Sequence, residues 1–190
     1  IPAIYYVFFL KIYFFTMPAI AGIDLITRIN PVNKIILISS IIFFHLIPLA
    51  ITQRKLIINA IKNIKLLKLV IFFLLTVIFY YYFNYPKNFI GGGIFFHFSN
   101  LFGSKLLIIL IGIISLYYLI IIAQNKFENF LLMFCIFASN PQLSIFHKYY
   151  DPMILIIFFT LFNIDKREIV FKSKYIGIFY IQSLIFLVAS

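Results

Sequence analysis

Between Leu106 and Ala123 the chain reads LLIILIGIISLYYLIIIA, eighteen residues without a charge. A second run, IILISSIIFFHLIPLAI from Ile35 to Ile51, is equally free of charge. Such runs approach the roughly 20 residues an α-helix needs to cross a hydrocarbon core. In lipid no water pairs with exposed backbone, so a crossing segment must be a helix or part of a closed barrel. These runs are continuous and do not alternate, which favours helices over strands of a β-barrel. Composition agrees: 64% of the residues are apolar and 11% charged, with a mean hydropathy of +1.11. A soluble domain could not clothe its surface with so few polar groups. The expected fold is an all-α, polytopic transmembrane helical bundle.

Seven spans are expected, in one membrane domain covering residues 1–190. They run from about Ala3 to Ile23, with Lys11 inside it, then Ile35 to Ile51, Leu69 to Phe83, Leu106 to Ala123, Phe130 to Phe146, Met153 to Ile164, and Tyr175 to the end. Asn140 and Pro141 break the fifth. The sixth is short for a full crossing. The chain opens on Ile-Pro without a signal-peptide pattern, which suggests the C-terminal part of a longer protein, with residues of importance upstream. No internal repeat is visible.

The net charge is +11, from 16 Lys and Arg against five acids. No compact basic domain exists to hold nucleic acid, so the cations read as flanks of membrane spans that meet anionic head groups. Ten of them fall in the second, fourth and sixth connections and five in the first, third and fifth. Lys and Arg concentrate on the cytoplasmic side. The odd-numbered connections therefore face outward, and a multi-pass protein of a bacterial inner membrane is the expected setting. The second connection is itself patterned. Leu56, Ile57, Ala60, Ile61, Ile64 and Leu67 share one helical face, while Arg54, Lys55, Asn59, Lys62, Asn63 and Lys65 share the other. This predicts an amphipathic helix in the cytoplasmic interface, a topological anchor or a lipid-recruiting element. The single cysteine, Cys135, sits in an apolar run and reads as packing.

Chemistry must come from few residues. Of the acids, Glu128, Asp165 and Glu168 lie beside Lys or Arg and read as solvated turns, whereas Asp24 and Asp151 face outward. The third connection, FNYPKNFIGGGIFFHFSNLFGSK, is an apolar loop with three successive glycines, Gly91, Gly92 and Gly93, and with His97. It reads either as a re-entrant segment whose N–H groups hold an anion or as a break before a short helix. No Lys-Ser or Lys-Thr follows, so it is not a P-loop. The fifth connection gathers His147, Lys148, Tyr149, Tyr150 and Asp151 ahead of Pro152. Pro152 suits the first turn of a helix and Asp151 its N-cap. Tyr149 and Tyr150 fit an interfacial aromatic belt as well as a site. A cation pair at the outer surface, where the charge bias disfavours one, suits an anionic head group or phosphate.

The segment His147-Lys148-Tyr149-Tyr150-Asp151-Pro152, followed at once by an apolar helix, resembles the outer-loop motif of GT-C class membrane glycosyltransferases. Those multi-span enzymes take a sugar from a polyprenyl-phosphate carrier at the outer or lumenal face. The resemblance implies that His147, Lys148, Tyr149 and Tyr150 bind substrate. Gly91, Gly92, Gly93 and His97, in the outer loop on the same face, are further substrate-binding candidates from their own chemistry, with His97 on its aromatic stretch reading more often as a packed imidazole. The resemblance further implies a lipid-linked sugar donor as partner beside membrane lipids. It also implies a catalytic carboxylate, for which Asp24 and Asp151 are the candidates in this sequence. The class carries an acid, often a pair, in its first outer loop, and Asp24 stands there alone. No cofactor is expected, and a divalent metal is left open. Two other classes fit the composition. A transporter or lipid flippase would suit the Gly and Asn-Pro breaks, and an assembly subunit would need no site.

Overall fold

A computed structural model describes residues 30–87, 91–124, 126–138, 145, 150, 154, 156–163 and 173–189. The first described helix, α1 (Pro31–Thr52), starts where its sequence says it should. Pro31 occupies the first turn, and the Asn30 side chain caps it, its Oδ1 accepting from Val32 N at 2.9 Å and Asn33 N at 3.4 Å. Gln53 separates α1 from α2 (Arg54–Lys62), and the chain then turns by 100° into α3 (Leu66–Tyr82). After the glycines comes the short α4 (Ile94–Leu101), which Gly103 closes in a left-handed conformation, φ 61°. Next are α5 (Lys105–Ala123) and α6 (Phe127–Ala138), which carries Glu128 in its first turn. A π-helical turn at Ile157–Leu161 and α7 (Ser173–Ala189) complete the described chain. Among the described residues there is no strand.

The centre of the molecule is α1. Its residues Ile36 to Ile42 are buried without interruption, the pattern of a helix enclosed on all sides. Parallel to it runs α5: Ile36 meets Gly112 near one end, and the rings of Phe43 and Tyr118 meet at 5.3 Å further along. Only glycine allows that approach, because a Cβ at position 112 would lie 2.8 Å from Ile36 Cγ2 and 3.2 Å from Ile36 Cα. Ser39, Ser40, Ser115 and Thr76 turn their hydroxyls back onto carbonyls of their own helices, so they bring no unpaired polarity into the apolar bundle.

Running opposite to both is α3, which has no buried residue. Phe72 stacks edge-on against Tyr117 at 4.9 Å and Tyr80 lies under the Lys105 ammonium at 4.9 Å, while Phe73 and Leu74 point outward. An apolar helix exposed to this extent is suited to lipid on its outer side. Two asparagine clasps tie the helix ends. At one end Asn30 Nδ2 donates to Tyr82 O (2.7 Å) and Asn84 Oδ1 (2.8 Å), and Asn33 Nδ2 also donates to Asn84 Oδ1 (2.9 Å). At the other, buried Asn129 donates to Ala123 O and Asn163 O, both at 3.1 Å, and accepts from Asn163 N at 2.8 Å.

Among the described residues two helices, α1 and α5, are long and apolar enough to cross a membrane, or three if α2 and α3 form one bent span; seven spans are expected over the whole chain. The protein is a membrane protein by these helices. With 12 residues, about 18 Å, α6 is shorter than a hydrocarbon core of roughly 30 Å. The expected first span lies outside the described residues, as do parts of the fifth and sixth. The amphipathic stretch is shorter than its pattern. It ends at Lys62, and Leu67, assigned to its apolar face, belongs to α3, which begins three residues before the expected Leu69.

Candidate functional site

The three glycines all adopt positive φ, 130° at Gly91, 89° at Gly92 and 82° at Gly93, a path closed to ordinary L-residues. Space explains the choice as much as conformation. A Cβ at Gly91 would lie 2.9 Å from Ile145 O and 3.3 Å from Tyr85 Oη, and one at Gly92 would clash with the Phe96 side chain, 2.7 Å from its Cγ. The turn is pressed against Ile145, next to last in the expected fifth span. Gly92 N donates to Ile145 O at 2.7 Å, and Tyr85 Oη accepts from Ile145 N at 3.3 Å, so Ile145 is held through both its backbone groups. The Gly92 N–H is thereby spent inside the protein and contributes nothing to an anion nest.

Tyr85 is the hinge of this contact. It is 7% exposed, its ring stands edge-on to Phe96 at 5.0 Å, and burial raises its hydroxyl pKa above the usual tyrosine value, with the Ile145 N–H opposing that rise. It follows directly on Asn84 of the first clasp, so the Gly-rich turn hangs from the same end of the bundle as Asn30. From there α4 lies against α1. The Phe95 ring meets those of Phe43 (6.2 Å) and Phe44 (5.8 Å), residues roughly 20 Å along α1 from Asn30 at about 1.5 Å per residue. The loop therefore folds back along the bundle before α5 starts.

Of the residues singled out in the sequence, Gly91 and Gly92 lie against Ile145 as just described, and Gly93 is the N-cap of α4, its carbonyl accepting from Phe96 N at 3.1 Å. Tyr150 is 2% exposed, and its carbonyl accepts from Ile154 N at 2.7 Å in the first turn beyond it. It is a core residue here, whereas Tyr80, Tyr81 and Tyr82 at the end of α3, and Tyr180 on α7, are exposed. His97 is exposed on α4, with its ring 5.8 Å from that of Phe96. Asp24, His147, Lys148, Tyr149 and Asp151 lie outside the described residues. Sequence reasoning passed over Tyr85 and both asparagine clasps. The signal was present in Asn-Pro at the head of α1 and Asn-Tyr-Pro after α3, polar residues at the two ends of neighbouring apolar runs.

Among the described residues no three His, Cys, Asp or Glu side chains come together to hold a metal ion. No family model matches the chain, and no curated protein or solved structure matches it either.

Proposed function

We propose that the chain is a multi-pass membrane glycosyltransferase that takes a sugar from a polyprenyl-phosphate carrier at the outer face of a bacterial inner membrane. One observation carries the reading: the Gly-rich turn and Ile145, at the end of the expected fifth span, are joined through Gly92 N–Ile145 O and Ile145 N–Tyr85 Oη. His147 and Lys148, the cations of the motif, follow Ile145 by two and three residues in sequence. Charge supports the sidedness. Among the described residues before α7, Lys34, Lys87 and Lys105 belong to the Asn30 end, while Arg54, Lys55, Lys62, Lys65, Lys68 and Lys126 belong to the other. The path of α4 along α1 supports a re-entrant loop.

In this reading Lys148 and His147 neutralise charge on the departing lipid phosphate, and a carboxylate, Asp24 or Asp151, takes the proton of the acceptor hydroxyl. A transporter or lipid flippase is the second reading. It is favoured by the buried, non-helical backbone of Gly92, Gly93 and Ile145 inside a helical bundle, a feature tolerated where it lines a path or is enclosed by protein.

The full chain, purified in detergent, is titrated with a short-chain polyprenyl phosphate and melted in parallel. Lys148→Ala is expected to weaken binding by about 1.5–3 kcal/mol, the range for a hydrogen bond to a charged group, with unchanged melting. Asp151→Ala is expected to lower melting if it caps a helix, or to stop turnover at unchanged melting if it is the base. Wild-type binding and turnover in Lys148→Ala would end the transferase reading. Lipid translocation by the wild-type chain in vesicles, without sugar transfer, would establish the second.

A further inference from the structure

We propose that α2 and the start of α3 form a docking surface for anionic phospholipid, at the end of the bundle opposite the Gly-rich turn. Arg54, Lys55, Lys62, Lys65 and Lys68 fall within fifteen residues of sequence, and all five side chains are exposed. None of them makes an ion pair or side-chain hydrogen bond among the described residues. Glu128 is the one acid among those residues, and it lies on α6. Five uncompensated cations so close together repel one another, and two of them stand where a cation is least welcome. Lys65 is the N-cap of α3 and Lys68 sits in its first turn, which has no acidic residue and no side-chain cap. The helix dipole there is positive and adds to the repulsion. An external layer of negative charge relieves both.

The partner's shape follows from the apolar groups. Ile57 and Ala60 face the bundle, where Tyr117 Oη donates to Ala60 O at 3.3 Å. Leu56, Ile58 and Ile61 remain 36–53% exposed on the same short helix. With α3 departing at 100°, α2 runs across the end of the bundle and not along it. Apolar side chains beside cations on a helix in that attitude suit the boundary between acyl chains and phosphate head groups. A soluble polyanion would satisfy the charges and leave Leu56, Ile58 and Ile61 in water. The occupant is therefore a phospholipid bearing net negative charge, distinct from any carrier lipid handled at the other end.

The full chain in mild detergent is exposed to equimolar phosphatidylglycerol and phosphatidylcholine, and the lipids that stay bound are counted by native mass spectrometry. The wild-type chain should retain phosphatidylglycerol preferentially at 0.1 M salt and lose the preference near 1 M, where the screening length falls from about 10 Å to about 3 Å. Each cation removed should reduce the preference by up to roughly fivefold. The variant R54Q/K55Q/K62Q/K65Q/K68Q should show none, with melting in phosphatidylcholine unchanged. If that variant does not fold, the five single substitutions serve, each giving its own partial loss. The pair Lys87→Gln and Lys105→Gln, at the Asn30 end, should leave the preference intact. Equal affinity of the wild-type chain for both lipids would overturn the proposal. So would retained preference in the five-site variant or its singles, or an equal loss in the Lys87/Lys105 pair.

Discussion

Gln182 Nε2 donates to the backbone carbonyl of Phe44 at 2.6 Å, and that carbonyl is the one Pro48 leaves without its helical partner. In an unbroken α1 the N–H of residue 48 would bond Phe44 O. Proline has no N–H, and in an apolar bundle an orphan carbonyl is costly. The lone amide in the middle of α7 fills the gap, and Phe186 packs on His45 at 5.7 Å beside it. A proline and a glutamine, each unwelcome in an apolar helix, thus justify one another through a carbonyl that lies 138 positions of sequence from the glutamine.

The pair gives a coupling test. Gln182→Leu should cost about 0.6–2 kcal/mol, the range for hydrogen bonds between membrane helices. In a Pro48→Ala background residue 48 can bond Phe44 O within α1, so the same substitution should cost much less. A double-mutant cycle on thermal melting in detergent reads the difference. Equal costs in both backgrounds would mean that Gln182 serves some other purpose.

The crossing of α1 and α5 depends on the absence of one carbon. Gly112→Ala sets a Cβ at 2.8 Å from Ile36 Cγ2, on a β-branched residue that cannot swing away. Overpacking of this kind costs typically 1–3 kcal/mol. Adding Ile36→Ala should return part of that loss by clearing the contact. If Gly112→Ala melts like the wild-type chain, the two helices do not approach as closely as described.

Tyr85 predicts a pH dependence. Free tyrosine loses its proton near pH 10, and buried Tyr85 holds its proton to higher pH. Between those two values the unfolded chain binds fewer protons than the folded one, so stability falls as pH rises. Below about pH 10 both states are protonated and no dependence arises from this group. Melting followed from pH 9 to 11 should decline less steeply in Tyr85→Phe than in the wild-type chain. Parallel curves would show that Tyr85 ionises like an exposed phenol.

Much of the fold was legible because lipid makes apolar length the dominant signal. The run from Ile35 to Ile51 falls within α1, and that from Leu106 to Ala123 within α5, nearly residue for residue. Where polar residues decide, reading failed. The amphipathic pattern continued through Ile64 and Leu67, yet the helix stops at Lys62, because hydrophobic periodicity says nothing of a 100° turn. The Gly-rich turn reads from the sequence as backbone freedom, either open to an anion or a break before a short helix, and the short α4 does follow it. The structure fills the space with Ile145 and Phe96, long-range contacts that no local pattern encodes. Tyr85 escaped notice for the same reason: its partner lies 60 positions away.

The contact of Gly92 with Ile145 separates a structural turn from a dispensable one. Gly92→Ala forces a Cβ against the Phe96 side chain at a φ of 89°, so it should lower melting and loosen the hold on Ile145 together. Phe96→Ala in the same chain removes the steric part and leaves the backbone strain, so it should recover only part of the loss. Hydrogen exchange at the Gly92 and Ile145 amides reports the contact directly. Unaltered exchange at both in Gly92→Ala would show that the turn is not what holds Ile145.

The two ends of the bundle can be assigned to the two sides of the membrane by labelling. Lys62, at the close of α2, and Lys87, beyond the Asn84 clasp, are both exposed and are separated by the length of α3, about 25 Å for its 17 residues. Cys135 is exposed, so Cys135→Ala supplies a background without other thiols. In that background Lys87→Cys should react with a membrane-impermeant maleimide on intact cells, and Lys62→Cys should react only after permeabilisation. The asymmetry follows from the charge bias, since Lys and Arg concentrate on the cytoplasmic side and α2 carries the densest group of them. Labelling of both from outside, or of neither, would mean that α3 does not cross, despite its apolar surface. Labelling of Lys62→Cys alone would invert the molecule, put the Gly-rich turn and the His147-Lys148 segment in the cytoplasm, and remove a carrier phosphate at the outer face from the functional reading.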